Sequence, residues 1–173
     1  MRDVFKEQIV KRKPTAIDFL KRIVLIFGVI AVFVVSSSIV PPHMMTIPLL
    51  LTFGAGFGAW YLMSFINLEY EYVITSGDLD IDVIYNRSRR KRIFSMRVSD
   101  IELMIPISDN TRIGEINDGV QKTRDFSSGV TTENTYVFVT NHHGQRTKVI
   151  MEPNEMMLKA FSASLSPRKL HRK

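Results

Sequence analysis

The chain has 173 residues, a net charge of +6 and no cysteine, which excludes a disulfide framework, a thiolate nucleophile and a Cys-ligated zinc site. Residues 1–22 hold seven basic groups against three acids, the tail adds Arg168, Lys169, Arg172 and Lys173, and residues 69–167 between them are net negative. The basic excess therefore sits at the termini and not on one domain face, so anionic lipid is a nearer partner than nucleic acid, and no nucleic-acid role is expected.

After the basic leader, residues 23–68 run for 46 positions without a charged side chain. A charge at the bilayer centre costs about 2.5–3.5 kcal/mol on insertion scales, so such a run marks a segment suited to lipid. Pro41-Pro42 divides it into an arm of 18 residues, Ile23 to Val40, and one of 25, Met44 to Leu68. As a helix the first arm reaches about 27 Å against roughly 30 Å of hydrocarbon, enough to span with little slack. Trp60 and Tyr61 close the second arm, with Tyr70 and Tyr72 beyond, as aromatic residues do at headgroups. The basic lead is too long and the exit too unlike A-x-A for a cleaved signal peptide. The remaining chain is too short to enclose the run as a soluble core. A re-entrant loop stays open as an alternative to two crossings. By the positive-inside bias the leader is cytoplasmic, and two crossings return residues 69–173 to the same side. The expected location is a cell membrane, multi-pass, with both termini cytoplasmic.

From Tyr70 the period changes to two. Leu79, Ile81, Val83 and Tyr85 alternate with Asp80, Asp82 and Ile84, and Ser76-Gly77-Asp78 and Asn86-Arg87-Ser88 supply turns. Four strands are expected within 70–107, then a long polar loop with at most a turn of helix over 108–133. A second hairpin follows, TYVFVT and RTKVIME around Asn141-His142-His143-Gly144-Gln145. Pro153 then opens an amphipathic helix at about 153–165, with Met156, Met157, Ala160, Phe161 and Leu165 on one stripe. Residues 166–173 read as a basic tail. The fold class is α+β: a two-helix transmembrane hairpin over 23–68, then a small antiparallel domain over 69–165 capped by a C-terminal helix.

The stretch YEYVITSGDLDIDVIYNRSRRKRIFSMRVSDIELMIP resembles the core of bacterial pleckstrin-homology-like (PH-like) membrane domains. The matching positions are Tyr72, Ile74 and Thr75, then Leu79 and Ile81, then Lys91 to Phe94, then Ile101 to Ile105. Two membrane helices placed before such a domain also fit that group, and the resemblance covers roughly residues 20–165. It implies a PH-like barrel or sandwich that binds protein or lipid. Fold alone settles no function.

NRSRRKR places Arg87, Arg89, Arg90, Lys91 and Arg92 just beyond the membrane arms, as lipid-contact candidates or as topology signals. Strand alternation would send Arg90 and Arg92 to one face and Lys91 to the other. Gly54 and Gly58 have the spacing at which two membrane helices approach closely, within the hairpin or between copies in a homo-oligomer. His142-His143 point opposite ways on a hairpin and lack further ligands, so neither metal nor cofactor is expected. Asp80 and Asp82 read as a solvated strand face. With no phosphate-cradling glycine loop and no nucleophile elbow, the expected function is non-enzymatic: a membrane-anchored adaptor or scaffold binding anionic lipid or an unknown membrane or cytoplasmic protein. The alternative is an accessory subunit of a transport or secretion assembly, although no ionisable residue marks an ion path through the arms.

Overall fold

The computed structural model describes residues 5–170. They form two compact units: Pro14–Leu68, and a second unit made of the residues up to Lys13 together with those from Glu69 onward.

The first unit is a helical hairpin. Thr15 caps α1 (Ala16–Ile39) through a reciprocal pair: Asp18 N–H donates to Thr15 Oγ1 at 3.3 Å, and Thr15 N–H donates to Asp18 Oδ2 at 2.9 Å. The helix thus starts seven residues before Ile23, because a capping box outweighs the charges of Asp18, Lys21 and Arg22 in its first turns. Val40, held extended before Pro41, ends it. A 3-10 turn at Pro42–Met44 leads into α2 (Thr46–Met63), which packs on α1. Ser36, Ser37 and Ser38 donate to the Val32, Phe33 and Val34 carbonyls at 2.6–2.7 Å, so their hydroxyls are satisfied within the helix. Arg22 Nη2 donates to Asn67 Oδ1 at 2.9 Å across the open end. Both helices are long and apolar enough to cross a membrane, by length and composition.

The second unit is built on two four-stranded sheets. The first has the order β1-β2-β3-β4: β1 (Phe5–Lys11), β2 (Leu68–Thr75), β3 (Asp78–Tyr85) and β4 (Arg89–Arg97). The reading of residues 1–22 as a leader is corrected here. Phe5–Lys11 is an edge strand, antiparallel to β2 from Phe5 opposite Thr75 to Lys11 opposite Glu69. The apolar hairpin is therefore an insertion between two paired strands. Gln8 fastens the edge: its Nε2 donates to Glu152 O and its Oε1 accepts from Asn154 N–H, each at 2.7 Å. Val10 is buried beside it.

The second sheet has the order β5-β7-β8-β6: β5 (Ile101–Pro106), β6 (Lys122–Asp125), β7 (Tyr136–His142) and β8 (Gln145–Met151). The strands expected from Tyr70 to Ile107 and around His142-His143 are all present. The domain is not wholly antiparallel, however, since β6 runs parallel to β8. The 108–133 stretch holds the short turn of helix expected there, α3 (Ile113–Asn117), whose Ile116 packs with Leu103, Ile105, Val137 and Val139, but the rest is not all loop, since it also contains β6. Asn154 caps α4 (Glu155–Ser164), accepting from Met157 N–H at 2.9 Å. The α4 stripe buries Met157, Ala160 and Phe161, with Leu165 just beyond, while Met156 stays exposed. The tail is tied down in part: Met104 N–H donates to Lys169 O at 2.7 Å and Leu170 is buried. Arg172 and Lys173 lie outside the described residues. Between the sheets, the buried Tyr72 hydroxyl donates to Phe126 O.

Candidate functional site

The outer face of the first sheet is set by register. Tyr72, Ile74, Leu79, Ile81 and Phe94 turn into the core. Residues of the opposite parity, Ile9 and Lys11 of β1, Glu69 and Glu71 of β2, Asp80, Asp82 and Ile84 of β3, and Arg90 and Arg92 of β4, share the other face. Arg90 and Arg92 thus point away from Lys91, as alternation requires. A bulge between Ile81 and Asp82 keeps Arg92 opposite Asp82 although Phe94 is opposite Ile81.

On this face most of the basic cluster meets carboxylates. Arg92 sits 3.0 Å from Asp80 and 3.3 Å from Asp82, Arg90 reaches across β3 to within 2.8 Å of Glu71, and Arg87 lies 3.4 Å from Glu69. Asp82 is buried and Ser95 donates to Asp80 at 2.6 Å, so these two aspartates form a paired patch and not the solvated face expected of them. Arg92 is therefore a structural residue. Arg89 and Lys91 are exposed on the opposite side of β4.

Arg87, Arg90 and Lys11 converge with Ile9, Ile84 and Glu69 on an open cleft of about 560 Å³. Arg87 holds φ at +55°, in the left-handed region, and Asn86 precedes it at +46°. For an arginine that conformation costs roughly 1–2 kcal/mol. Behind Arg90 lies Glu71, with no solvent exposure. Arg90 Nη2 stands at ion-pair distance from it, but no hydrogen-bond donor is aligned on either Glu71 oxygen among the described residues. Burial pushes the Glu71 carboxyl up to about 7, and the neighbouring Glu7 and Asp82 add to the rise while Arg90 opposes it.

The other candidates are not gathered here. His142 lies tilted against Phe94, with ring centroids 4.5 Å apart, and meets His143 edge-on at 4.2 Å. Phe94 faces the core, so the aspartates and the histidines are not brought together. Burial, followed by the His143 charge, lowers the His142 pKa. Among the described residues no cluster of three His, Asp or Glu side chains has metal-binding geometry. At Gly54 and Gly58 a Cβ would meet no atom within 4 Å, so α1 does not pack against these glycines.

Residues 2–172 match the family model described as a bacterial PH-like domain, DUF6106. The chain belongs to this bacterial PH-like domain family. The match runs through β1, the hairpin and both sheets of the PH-like domain, so the whole arrangement and not the strands alone carries the membership. No curated protein and no solved structure matches the chain.

Proposed function

We propose that the apolar hairpin crosses a membrane twice and anchors the PH-like domain at the inner leaflet, where the domain works as a non-enzymatic adaptor that contacts anionic lipid, a protein partner, or both. The observation that carries this reading is the pairing of β1 with β2 around the hairpin. Two strands in register lie on one side of any bilayer, so a 14–68 segment that enters one crosses it an even number of times, and two helices long and apolar enough to span support two crossings. Lys11, Arg12 and Lys13 precede the hairpin directly and favour the cytoplasmic side. Anchoring also raises the effective concentration of any partner in the same leaflet, so a weak surface contact suffices.

Lys11, Arg87, Arg89 and Lys91, all exposed, carry the lipid half of this proposal; Arg87 is at the same time ion-paired with Glu69, as Arg90 is with Glu71 and Arg92 with Asp80 and Asp82. Because the chain has no native cysteine, single-cysteine labelling in sealed vesicles tests the topology. Lys13→Cys and Ser76→Cys should react only from the cytoplasmic side and His43→Cys only from the other. Labelling of all three from one side would remove the two-crossing anchor. The open flanks of Gly54 and Gly58 favour a second reading, helix contact with another membrane protein or a second copy, as an accessory subunit would need. Crosslinking in the native membrane from α2 tests it, and recovery of the uncrosslinked chain alone counts against it.

A further inference from the structure

The cleft on the outer face of the first sheet holds three cations, Lys11, Arg87 and Arg90, against one carboxylate at its wall, Glu69. A second carboxylate, Glu71, is wholly buried behind it, ion-paired with Arg90 and beside the Glu7 carboxyl. This geometry is unusual in an ion pair. Arg90 is more than half exposed, with 57% of its side-chain surface accessible, whereas its partner has none. The guanidinium therefore faces two competing anions, one fixed inside the sheet and one that can arrive from solvent. A buried carboxylate without aligned donors is poorly stabilised as an anion, so its hold on Arg90 depends on its own charge.

Resting on the lipid-contact reading above, we propose that this cleft binds a phosphate group and that Glu71 gates it: protonation of Glu71 frees Arg90 to join Lys11 and Arg87 on the incoming anion. With both glutamates ionised the site carries three positive charges against two negative; protonation of Glu71 leaves three against one. Ile9 and Ile84 give the cleft an apolar wall suited to the carbon part of a phosphodiester. The position of Glu71 between acid and base forms is set by every strand around it. Glu7 on β1 and Asp82 on β3 favour the neutral acid and Arg90 on β4 favours the anion, while Lys11 on β1, Glu69 on β2, Asp80 on β3, Arg92 on β4 and Arg87 in the β3–β4 turn are the other charged groups on this side of the sheet. Arg92 is already neutralised by Asp80 and Asp82, which leaves Arg90 as the cation closest to Glu71. Burial, then the contact with Glu7 and the charge of Asp82, raise the carboxyl to about 7 against the pull of Arg90, so the gate operates near neutrality.

The test is a calorimetric titration of the full chain in neutral detergent with two probes whose single charge does not change with pH: glycerophosphoglycerol, a free phosphodiester headgroup, and short-chain phosphatidylglycerol below its micellar concentration. Binding of one phosphate coupled to uptake of one proton should weaken about 30-fold between about pH 6 and about pH 8.5. Glu71→Gln should remove that dependence and hold the affinity at its acid value. Arg90→Gln should give weak binding that ignores pH. Equal affinity for the two probes assigns the site to the headgroup alone, and tighter binding of the lipid adds the Ile9–Ile84 wall; either supports the proposal. Should Glu71→Gln fail to fold, Glu7→Gln serves instead, moving the midpoint of the pH dependence to lower pH. Binding that is tight, independent of pH and lost in Arg87→Gln would overturn the gate while leaving the lipid-contact reading intact. Absence of binding by both probes at both pH values would overturn the two together.

Discussion

If β1 is part of the PH-like domain, Gln8 is among its most exacting residues. In Gln8→Ala two backbone groups lose their partners: Glu152 O, which accepts from Nε2, and Asn154 N–H, which donates to Oε1, both at 2.7 Å. An orphaned, fully buried polar group costs about 1–3 kcal/mol, and partial burial puts each of these near the lower end, giving about 2 kcal/mol together. Asn154 also caps α4, so loosening it should reach the start of that helix. Gln8→Glu is the sharper variant: it keeps an acceptor for Asn154 N–H but sets a carboxylate against the Glu152 carbonyl, and its loss should equal or exceed that of alanine. Hydrogen exchange of the full chain in nanodiscs reads the effect directly. Amides of residues 5–11 and their partners on β2 should exchange about 30-fold faster in Gln8→Ala, the equivalent of that 2 kcal/mol. The accompanying fall in the melting temperature of the domain should be about 5–10 °C. Exchange of residues 5–11 at the rate of an unstructured chain in the wild type, or no change on substitution, would refute the reasoning, because a free leader has nothing to lose at Gln8.

Tyr72→Phe removes the donor to Phe126 O at the junction of the two sheets and should cost about 1–3 kcal/mol, measured by thermal unfolding; wild-type stability would show that this buried carbonyl finds another donor. The Glu71 carboxyl is raised from its ordinary 4.5 to about 7, so between those values the folded state holds the extra proton. Stability should therefore decline as pH rises through that window and level off above it, and Glu71→Gln should flatten the slope; an unchanged slope in the variant would assign the dependence to other groups. Replacing residues 14–68 by a short glycine-rich turn should turn β1–β2 into an ordinary hairpin and give a soluble, folded domain, whereas residues 69–170 alone, lacking β1, should expose the face that Val10 covers and fail to give a cooperative melt.

The pattern of legibility follows from distance along the chain. β2 to β5 and the β7–β8 hairpin announce themselves through alternation and through turns at Ser76-Gly77 and His143-Gly144, where φ is positive at all four residues. These are local signals. β1 has no such signal: FKEQIVK reads as a charged lead to an apolar run, and its partner on β2 lies beyond the whole hairpin. β6, KTRD, lacks an apolar alternation because it is an exposed edge paired only with β8. The basic cluster was visible as charge, but its carboxylates were not assignable as partners. Arg90 finds Glu71 two strands away, and the bulge at Ile81/Asp82 decides that Arg92 meets Asp82. Pairing across a sheet depends on register, and register is fixed only once the strand order is known. Gly54 and Gly58 show the converse, a recognisable helix-contact spacing that the hairpin itself leaves unused.

The central claim is that the apolar hairpin interrupts a strand pair. With no cysteine in the native chain, Glu7→Cys combined with Val73→Cys places two thiols on residues directly opposite in the β1–β2 register. Facing residues of an antiparallel pair have Cα atoms about 4.5–5.5 Å apart, within disulfide reach. Mild oxidation of the membrane-embedded chain should close this bond rapidly, and much faster than an off-register control with cysteines at Glu7 and Glu69. Equal rates for the two pairs, or no bond at all in the Glu7/Val73 variant, would contradict the account.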